Sequence, residues 1–310
     1  MFSKFSALAT ATVLASSAAA APVNERDLIG KIFDFVLPYN FTSNLDVYGA
    51  PANDFNCKSA KNPVIMLHGM TANREVDLNM LQQDMNALGW CTYSMTYGAH
   101  SLVPFVGGLR SMRDSAKDIA EFIREVKQKT GTNKVDLVGH SEGGVMTVYV
   151  PMSQPGIADI VERTVALGPA IHGAKYFGFT DLWYFGGDAT RNFVATVLKV
   201  LGCKACDDMA TDGDIYKDFL AKAGSISPPN VKTTIIMSKS DALVAPETSR
   251  IEEAGVRNVF VQDHCAQDTT GHAGLMWDRN VWEIIKLELQ EKYDQKVATC
   301  DYEHILPGSV

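Results

Sequence analysis

Short apolar runs recur along the chain and are separated by segments of mixed polarity. Six runs have the length and apolar character of strands in a parallel sheet, at residues 62–69, 90–97, 135–138, 163–169, 231–237 and 257–262. Strands that alternate with helices pair in parallel. The pattern therefore predicts an α/β fold with a mostly parallel central sheet and helices on both faces.

Helical periodicity fills several of the intervals between the predicted strands. Residues 77–88 and 280–292 have apolar positions on one face, and residues 111–131 form the clearest amphipathic segment. Ser111 is the expected N-cap of that helix, with Asp114 in the place of the capping-box acid.

Composition indicates a globular chain. The 310 residues are 46% apolar and 21% charged, enough for a single domain over residues 21–310. The net charge of −8 argues against a nucleic-acid partner. Residues 170–227 mix aromatic side chains with glycines, which favours a cap or lid over a site, with an inserted pair of core helices as the alternative.

The N-terminus is typical of a secretory signal peptide over residues 1–20. Lys4 precedes an apolar stretch too short to span a bilayer, and Ala18-Ala19-Ala20 fits a cleavage site. No later stretch predicts a transmembrane helix. We therefore expect a secreted, extracellular protein, glycosylated at the Asn40 sequon if the host is eukaryotic.

Six cysteines in an exported chain indicate three disulfides, for which fifteen pairings exist. The spacing of Cys203 and Cys206 also allows a redox or zinc motif, although no second cysteine pair accompanies it. Sequence order favours one set of pairs, namely Cys57 with Cys91, Cys203 with Cys206 and Cys265 with Cys300.

The strongest chemical signal follows the third predicted strand. Gly139-His140-Ser141-Glu142-Gly143 has the G-x-S-x-G spacing of a serine nucleophile on a sharp strand-to-helix turn. Glycines fit there because the backbone is strained and a neighbouring element packs close. An ordinary glycine-rich turn is the alternative, but the strand before and the apolar run after it favour a nucleophile.

An oxyanion hole needs two backbone N–H groups aimed at the carbonyl oxygen that gains charge. One is expected after the nucleophile, at Glu142, and the other at Met70, after the strand that ends in His68-Gly69. The His68 side chain is interpreted as a brace for this loop.

Asp241 and His272 are the predicted partners of Ser141. Asp241 follows a strand downstream of the serine, in the order that this chemistry uses, whereas no strand precedes its competitors Asp214 and Asp218. His272 lies in a loop, whereas the competing base His264 adjoins a predicted disulfide. The other histidines are interpreted as structural or solvated, namely His100, His140, His172 and His304.

Several blocks together resemble the class 2 lipases, and most closely secreted microbial triacylglycerol lipases of the α/β-hydrolase fold. They are NPVIMLHGM, VDLVGHSEGG, ALGPAIHG, CKAC, TTIIMSKSDALVAP and VQDHCAQDTTGHAGL, within residues 53–300. The resemblance implies Ser141 as the nucleophile, Asp241 and His272 as its partners, and Met70 and Glu142 as the oxyanion donors. One departure is Glu142, where the family often has Gln, and a carboxylate there would disfavour the oxyanion unless it points away or is hydrogen-bonded.

The resemblance implies a lipid or ester substrate, and we expect long-chain acylglycerols met at an oil–water interface. The reaction requires neither a metal nor an organic cofactor, and no dense carboxylate loop demands a structural calcium of the kind that some lipases hold. A short-chain esterase, a polyester or lactone hydrolase and an acyltransferase are alternatives on the same residues. A secreted, non-catalytic binding protein is a more distant one. The oligomeric state is left open.

Overall fold

The computed structural model describes residues 49–173 and 200–302. The predicted signal peptide, Asn40 and residues 174–199 of the predicted cap lie outside the described residues.

Six parallel strands form one sheet in the order β2-β1-β3-β4-β5-β6, which confirms the predicted parallel sheet. The strands are β1 Val64–Leu67, β2 Thr92–Met95, β3 Val135–His140, β4 Val161–Leu167, β5 Lys232–Met237 and β6 Val256–Phe260. Each matches one of the six predicted runs to within a few residues.

Eight α-helices of the described residues connect and flank the strands. They are α1 Asn79–Ala87, α2 Met112–Thr130, α3 Glu142–Ser153, α4 Lys204–Asp208, α5 Asp214–Ala221, α6 Pro246–Ser249, α7 Val261–His264 and α8 Arg279–Leu289. A 3-10 helix covers Ala273–Met276. Within the described ranges, no helix has both the length and the apolar character needed to cross a membrane.

Alternation along β1 shows that both faces of the sheet are buried. Ile65 and Leu67 belong to one apolar cluster, which also contains side chains of α2 and α3. Val64 and Met66 belong to the other, which contains side chains of α1 and α8. The continuous apolar sequence of β1 follows from this burial on both faces, and the expected helices on both faces are present.

The N-terminus of α2 is capped differently from the prediction. Ser111 makes no side-chain cap bond, and Asp114 pairs with Lys117 at 2.8 Å instead. The Met112 N–H donates to the Asp208 carboxylate of α4 at 2.9 Å. A distant carboxylate therefore satisfies the helix end that the local capping box was expected to serve.

The described part of the predicted cap contains α4 and α5. Asp218 of α5 pairs with Arg113 of α2 at 2.8 Å and accepts a 2.7 Å hydrogen bond from Tyr149 of α3. The Tyr149 and Phe219 rings also meet edge to face. This part of the segment is thus packed against α2 and α3, and the lid role of residues 170–227 stays a prediction.

Three disulfides are present, and they are the pairs that sequence order favours. Cys57–Cys91 and Cys265–Cys300 close long loops of 34 and 35 residues, whereas Cys203–Cys206 spans 3. In the chain-entropy description, a long loop of this size contributes about 3–4 kcal/mol to the free energy of unfolding.

Two glycines let the turn after β3 pack against its neighbours. A Cβ on Gly143 would overlap the backbone carbonyl of Leu67, and one on Gly139 would overlap the carbonyl of Gly143. The start of α3 therefore approaches the end of β1 so closely that backbone atoms of the two elements are in contact.

We expect Gly143→Ala to lower the free energy of unfolding by more than about 4 kcal/mol, or to prevent folding, because the overlap is with backbone that cannot move aside. Gly131→Ala is the matched control. Gly131 ends α2 at φ +72° with open space around it, so alanine there costs only about 1–2 kcal/mol of backbone strain. Urea denaturation followed by circular dichroism measures both changes, and equal losses would contradict the packing argument.

Candidate active site

Ser141 lies on a strained turn between β3 and α3. Its backbone has φ 55° and ψ −118°, in the region that disfavours residues with a side chain. The Ser141 N–H donates to the Leu167 carbonyl at 2.8 Å, and its own carbonyl accepts from Val145 at 3.0 Å. These bonds hold the side chain at the carboxyl edge of the sheet.

Ser141, His272 and Asp241 form one hydrogen-bonded line. His272 Nε2 lies 2.9 Å from Ser141 Oγ, and His272 Nδ1 lies 2.7 Å from Asp241 Oδ2. A carboxylate accepts hydrogen bonds and donates none, so His272 Nδ1 carries the hydrogen and Nε2 accepts a hydrogen bond from the serine hydroxyl. The arrangement can remove the serine proton as the oxygen attacks an electrophile.

Backbone groups fix the Asp241 carboxylate at the end of β5. Its Oδ1 accepts hydrogen bonds from the N–H groups of Leu243 and Val244 at 3.0 and 2.7 Å. Nearby, Ser238 Oγ donates to the Thr270 carbonyl at 2.6 Å, which ties the loop of His272 to the same strand end. All three residues of the line are at most 6% exposed.

The two predicted oxyanion donors flank the serine with free N–H groups. The Thr71 N–H is used by the Gly107 carbonyl at 2.9 Å. The N–H groups of Met70 and Glu142, in contrast, have no acceptor within residues 49–173 and 200–302. Glu142 is the first residue of α3, where helix geometry leaves the N–H unpaired.

His68 has the bracing position expected from the sequence. Its Nδ1 contacts the Gly69 carbonyl at 2.7 Å, and its Nε2 accepts from the Tyr97 N–H at 3.2 Å. The His68 and Tyr97 rings are stacked with their centroids 4.3 Å apart. Burial lowers the pKa of His68, which suits a neutral ring with one donor and one acceptor nitrogen.

The Met70 side chain packs against the Cys203–Cys206 disulfide at the start of α4. Its Sδ lies 3.4 Å from Cys206 Sγ and 3.8 Å from Cys203 Sγ. The cysteine pair that could be taken for a redox or zinc motif is therefore a disulfide packed against a candidate oxyanion residue.

The Glu142 side chain is buried and lies against Gly108. Neither carboxyl oxygen has a hydrogen-bond partner among the described residues. Oε2 lies so close to Gly108 that a Cβ added at that glycine would overlap it. Burial raises the pKa of Glu142 well above its usual range, and the nearby Asp208 carboxylate raises it further. Burial therefore favours the neutral form of this carboxyl group.

The competing candidates lie elsewhere. Asp214 and Asp218 face Arg113 on the surface of α2. His264 leaves its Nδ1 without a partner in the described ranges, and its carbonyl contacts Cys300 Sγ at 3.6 Å. None of these residues hydrogen-bonds to Ser141, Asp241 or His272.

Two residues beside the site were not identified from the sequence. Asp77, placed in a predicted helix, precedes α1 and is fully buried. His140, interpreted as structural or solvated, is buried between Asp77 and the backbone of His272. Within the described residues, no group of three or more His, Cys, Asp or Glu side chains could hold a metal ion.

The family described as "Lipase (class 2)" matches residues 61–297, which is most of the chain. A triacylglycerol lipase from Pseudarthrobacter phenanthrenivorans is 22% identical over 160 residues, covering 49% of this chain and 47% of that protein. The match thus spans less than half of that relative.

Two solved structures share the fold. Aspergillus fumigatus lipase B has a TM-score of 0.59 at 16% identity, covering 84% of this chain and 57% of its own. The mature form of Bacillus licheniformis lipase BlEst2 has a TM-score of 0.53 at 18% identity, covering 78% of this chain and 96% of its own. With the parallel sheet, these similarities confirm the predicted α/β-hydrolase fold.

We expect Glu142→Gln to stabilise the protein increasingly as the pH rises. The folded pKa of Glu142 lies above 4.5, its usual value, so the folded chain holds a proton that the unfolded chain releases. The stability linked to this proton is complete below pH 4.5 and declines as the pH rises towards the folded pKa, at most by about 1.4 kcal/mol per pH unit. Glutamine removes this loss.

Urea denaturation from pH 4 to 9 measures the difference between Glu142→Gln and the wild type. Glu121→Gln, on the exposed face of α2, is the matched control and should follow the wild type at every pH. Parallel stability curves for the Glu142→Gln variant and the wild type would mean that the buried carboxyl is ionised in the folded protein.

Proposed function

This chain belongs to the class 2 lipase family, and from that premise we propose that it hydrolyses carboxylic esters through an acyl-enzyme formed on Ser141. The observation that carries the proposal is the continuous line of hydrogen bonds from Ser141 through His272 to Asp241, at 2.9 and 2.7 Å. Nucleophile, base and orienting acid have the geometry that acyl transfer requires.

Acylation begins when Ser141 Oγ attacks the ester carbonyl and His272 Nε2 takes the hydroxyl proton. Asp241 keeps the Nδ1 hydrogen in place and stabilises the imidazolium that forms. His272 then gives the proton to the leaving alcohol, and the acyl group remains on Ser141. Water activated by the same histidine releases the carboxylic acid and restores the enzyme.

The tetrahedral intermediate needs donors for its negative oxygen. The unpaired N–H groups of Met70 and Glu142 fill this role, and each such donor typically lowers the barrier by about 3–4 kcal/mol. The burial of Glu142 supports the assignment because it favours the neutral side chain, which places no negative charge beside the developing oxyanion.

We take long-chain acylglycerols as the substrate class. The family match and a relative named as a triacylglycerol lipase support this choice. The predicted signal peptide and the three disulfides support secretion, because disulfides persist in oxidising compartments. Hydrolysis would then take place outside the cell.

Ser141→Ala should lower kcat on p-nitrophenyl esters by about 10⁴–10⁶-fold, because it removes the atom that attacks the carbonyl. Circular dichroism should remain that of the wild type, since the smaller side chain fits the same space. Steady-state kinetics, together with labelling by a fluorophosphonate probe, provides the measurement.

Ser249→Ala is the matched control for this change. Ser249 is fully buried and its Oγ has no partner among the described residues, so this variant should keep both activity and labelling. Turnover by Ser141→Ala near the wild-type rate, or failure of wild-type Ser141 to react with the probe, would refute the mechanism.

The substrate class has its own test, the rate of acid release from triacylglycerol emulsions of increasing chain length. We expect hydrolysis to continue to long acyl chains and to rise once the substrate forms an interface. Activity confined to soluble short-chain esters would identify a short-chain esterase. Transfer of the acyl group to an added alcohol in preference to water would identify an acyltransferase.

A further inference from the structure

A second buried Asp–His pair lies beside Ser141. His140 is the last residue of β3 and is only 2% exposed. Its Nδ1 lies 3.3 and 3.5 Å from the two carboxylate oxygens of Asp77, which is itself fully buried. Its Nε2 lies 3.0 Å from the backbone carbonyl of His272.

Both ring nitrogens of His140 therefore face acceptors. A neutral imidazole has one N–H, so one of its nitrogens would direct a lone pair at an oxygen. An imidazolium ring donates in both directions, and the Asp77 carboxylate offsets its charge. Burial lowers the pKa of His140. The charge and hydrogen bond of Asp77, the hydrogen bond of the His272 carbonyl and the charge of Asp241 together raise it, so that the pKa of His140 lies above its usual value.

The pair connects both halves of the proposed site. The Gly69 N–H donates to Asp77 Oδ2, and Gly69 directly precedes the oxyanion donor Met70. A Cβ at Gly69 would lie only 3.2 Å from the Ser141 Cβ, so the two loops are closely apposed. Asp77 thus holds the oxyanion loop, formed by Gly69 and Met70, while His140 holds the backbone of His272, the proposed base.

His272 needs such support because it lies on a loop, whereas Ser141 and Asp241 follow strands. Its carbonyl also accepts from the Leu275 N–H at 3.3 Å, a bond within its own segment. The bond from His140 instead links this carbonyl to the end of β3, next to Ser141. The two histidine rings lie with their centroids 4.9 Å apart.

We propose that Asp77 and His140 are positioning residues, a buried carboxylate–imidazolium pair that fixes the His272 backbone and the oxyanion loop relative to Ser141. The inference rests on the proposed function, because it assigns these residues to the same reaction. Neither residue transfers a proton to or from the substrate.

The test compares His140→Leu with His140→Gln. Leucine keeps the volume but removes both donors, and misplacement of His272 should lower kcat on soluble p-nitrophenyl butyrate about 100-fold with KM changed less than about twofold. Glutamine retains one donor and should recover at least about tenfold of that loss. His172→Gln, at an exposed histidine, is the matched control and should keep the wild-type kcat.

Rates are normalised to the folded fraction, determined from thermal unfolding, so that lost stability is not counted as lost catalysis. An unchanged kcat per folded His140→Leu molecule overturns the proposal. Wild-type turnover and fluorophosphonate labelling are measured in parallel. A wild type that is inactive and unlabelled refutes the proposed function. An active wild type together with an unchanged kcat of His140→Leu refutes only the positioning role.

A second measurement does not depend on the folding of the leucine variant. Nitrogen-15 NMR of histidine-labelled protein at pH 7 should show both ring nitrogens of His140 protonated in the wild type. Asp77→Asn keeps an oxygen for the Gly69 N–H but removes the charge, so one ring nitrogen should lose its proton. A singly protonated His140 ring in the wild type, or an unchanged ring in Asp77→Asn, would overturn the assignment.

Discussion

The site depends on the close backbone contact between the turn after β3 and the end of β1. Only glycine at position 143 allows the start of α3 to approach the Leu67 and His68 carbonyls. That approach places Ser141 beside the loop of Gly69 and Met70. The positive φ of Ser141 costs on the order of 1–3 kcal/mol, and the bond from its N–H to the Leu167 carbonyl helps to hold it there.

Sheet topology explains why much of the fold and site could be predicted from the sequence. The carboxyl ends of parallel strands meet at one edge, so residues that follow β1, β3 and β5 become neighbours. Apolar runs identify those strands, and Met70, Ser141 and Asp241 are then located by position alone. His272 follows no strand directly, and only the proximity of His264 to a predicted disulfide favours His272 over that residue.

The remaining features depend on contacts that local patterns do not record. Asp77 and His140 are 63 residues apart, and the Asp208 carboxylate that caps α2 is 96 residues from Met112. Helical periodicity and capping rules describe neighbours within one or two turns. They therefore predicted Ser111 as the effective cap and could not identify the partner of His140. The burial of Glu142, likewise, follows from how α3 packs and not from its own sequence.

Three buried carboxyl groups surround Ser141, and each avoids an isolated charge in a different way. Asp241 accepts hydrogen bonds from Leu243, Val244 and His272, which provide partners for both of its carboxyl oxygens.

Asp77 faces Nδ1 of His140, whose other ring nitrogen faces the His272 carbonyl. Glu142 has neither a cation nor a donor among the described residues, so burial raises its pKa and favours its neutral form. Ser141 is thus flanked in sequence by two side chains whose pKa values are both raised, which favours their protonated forms. In its neutral form Glu142 adds no negative charge where the proposed oxyanion would form, which is compatible with glutamate in a position where glutamine is common.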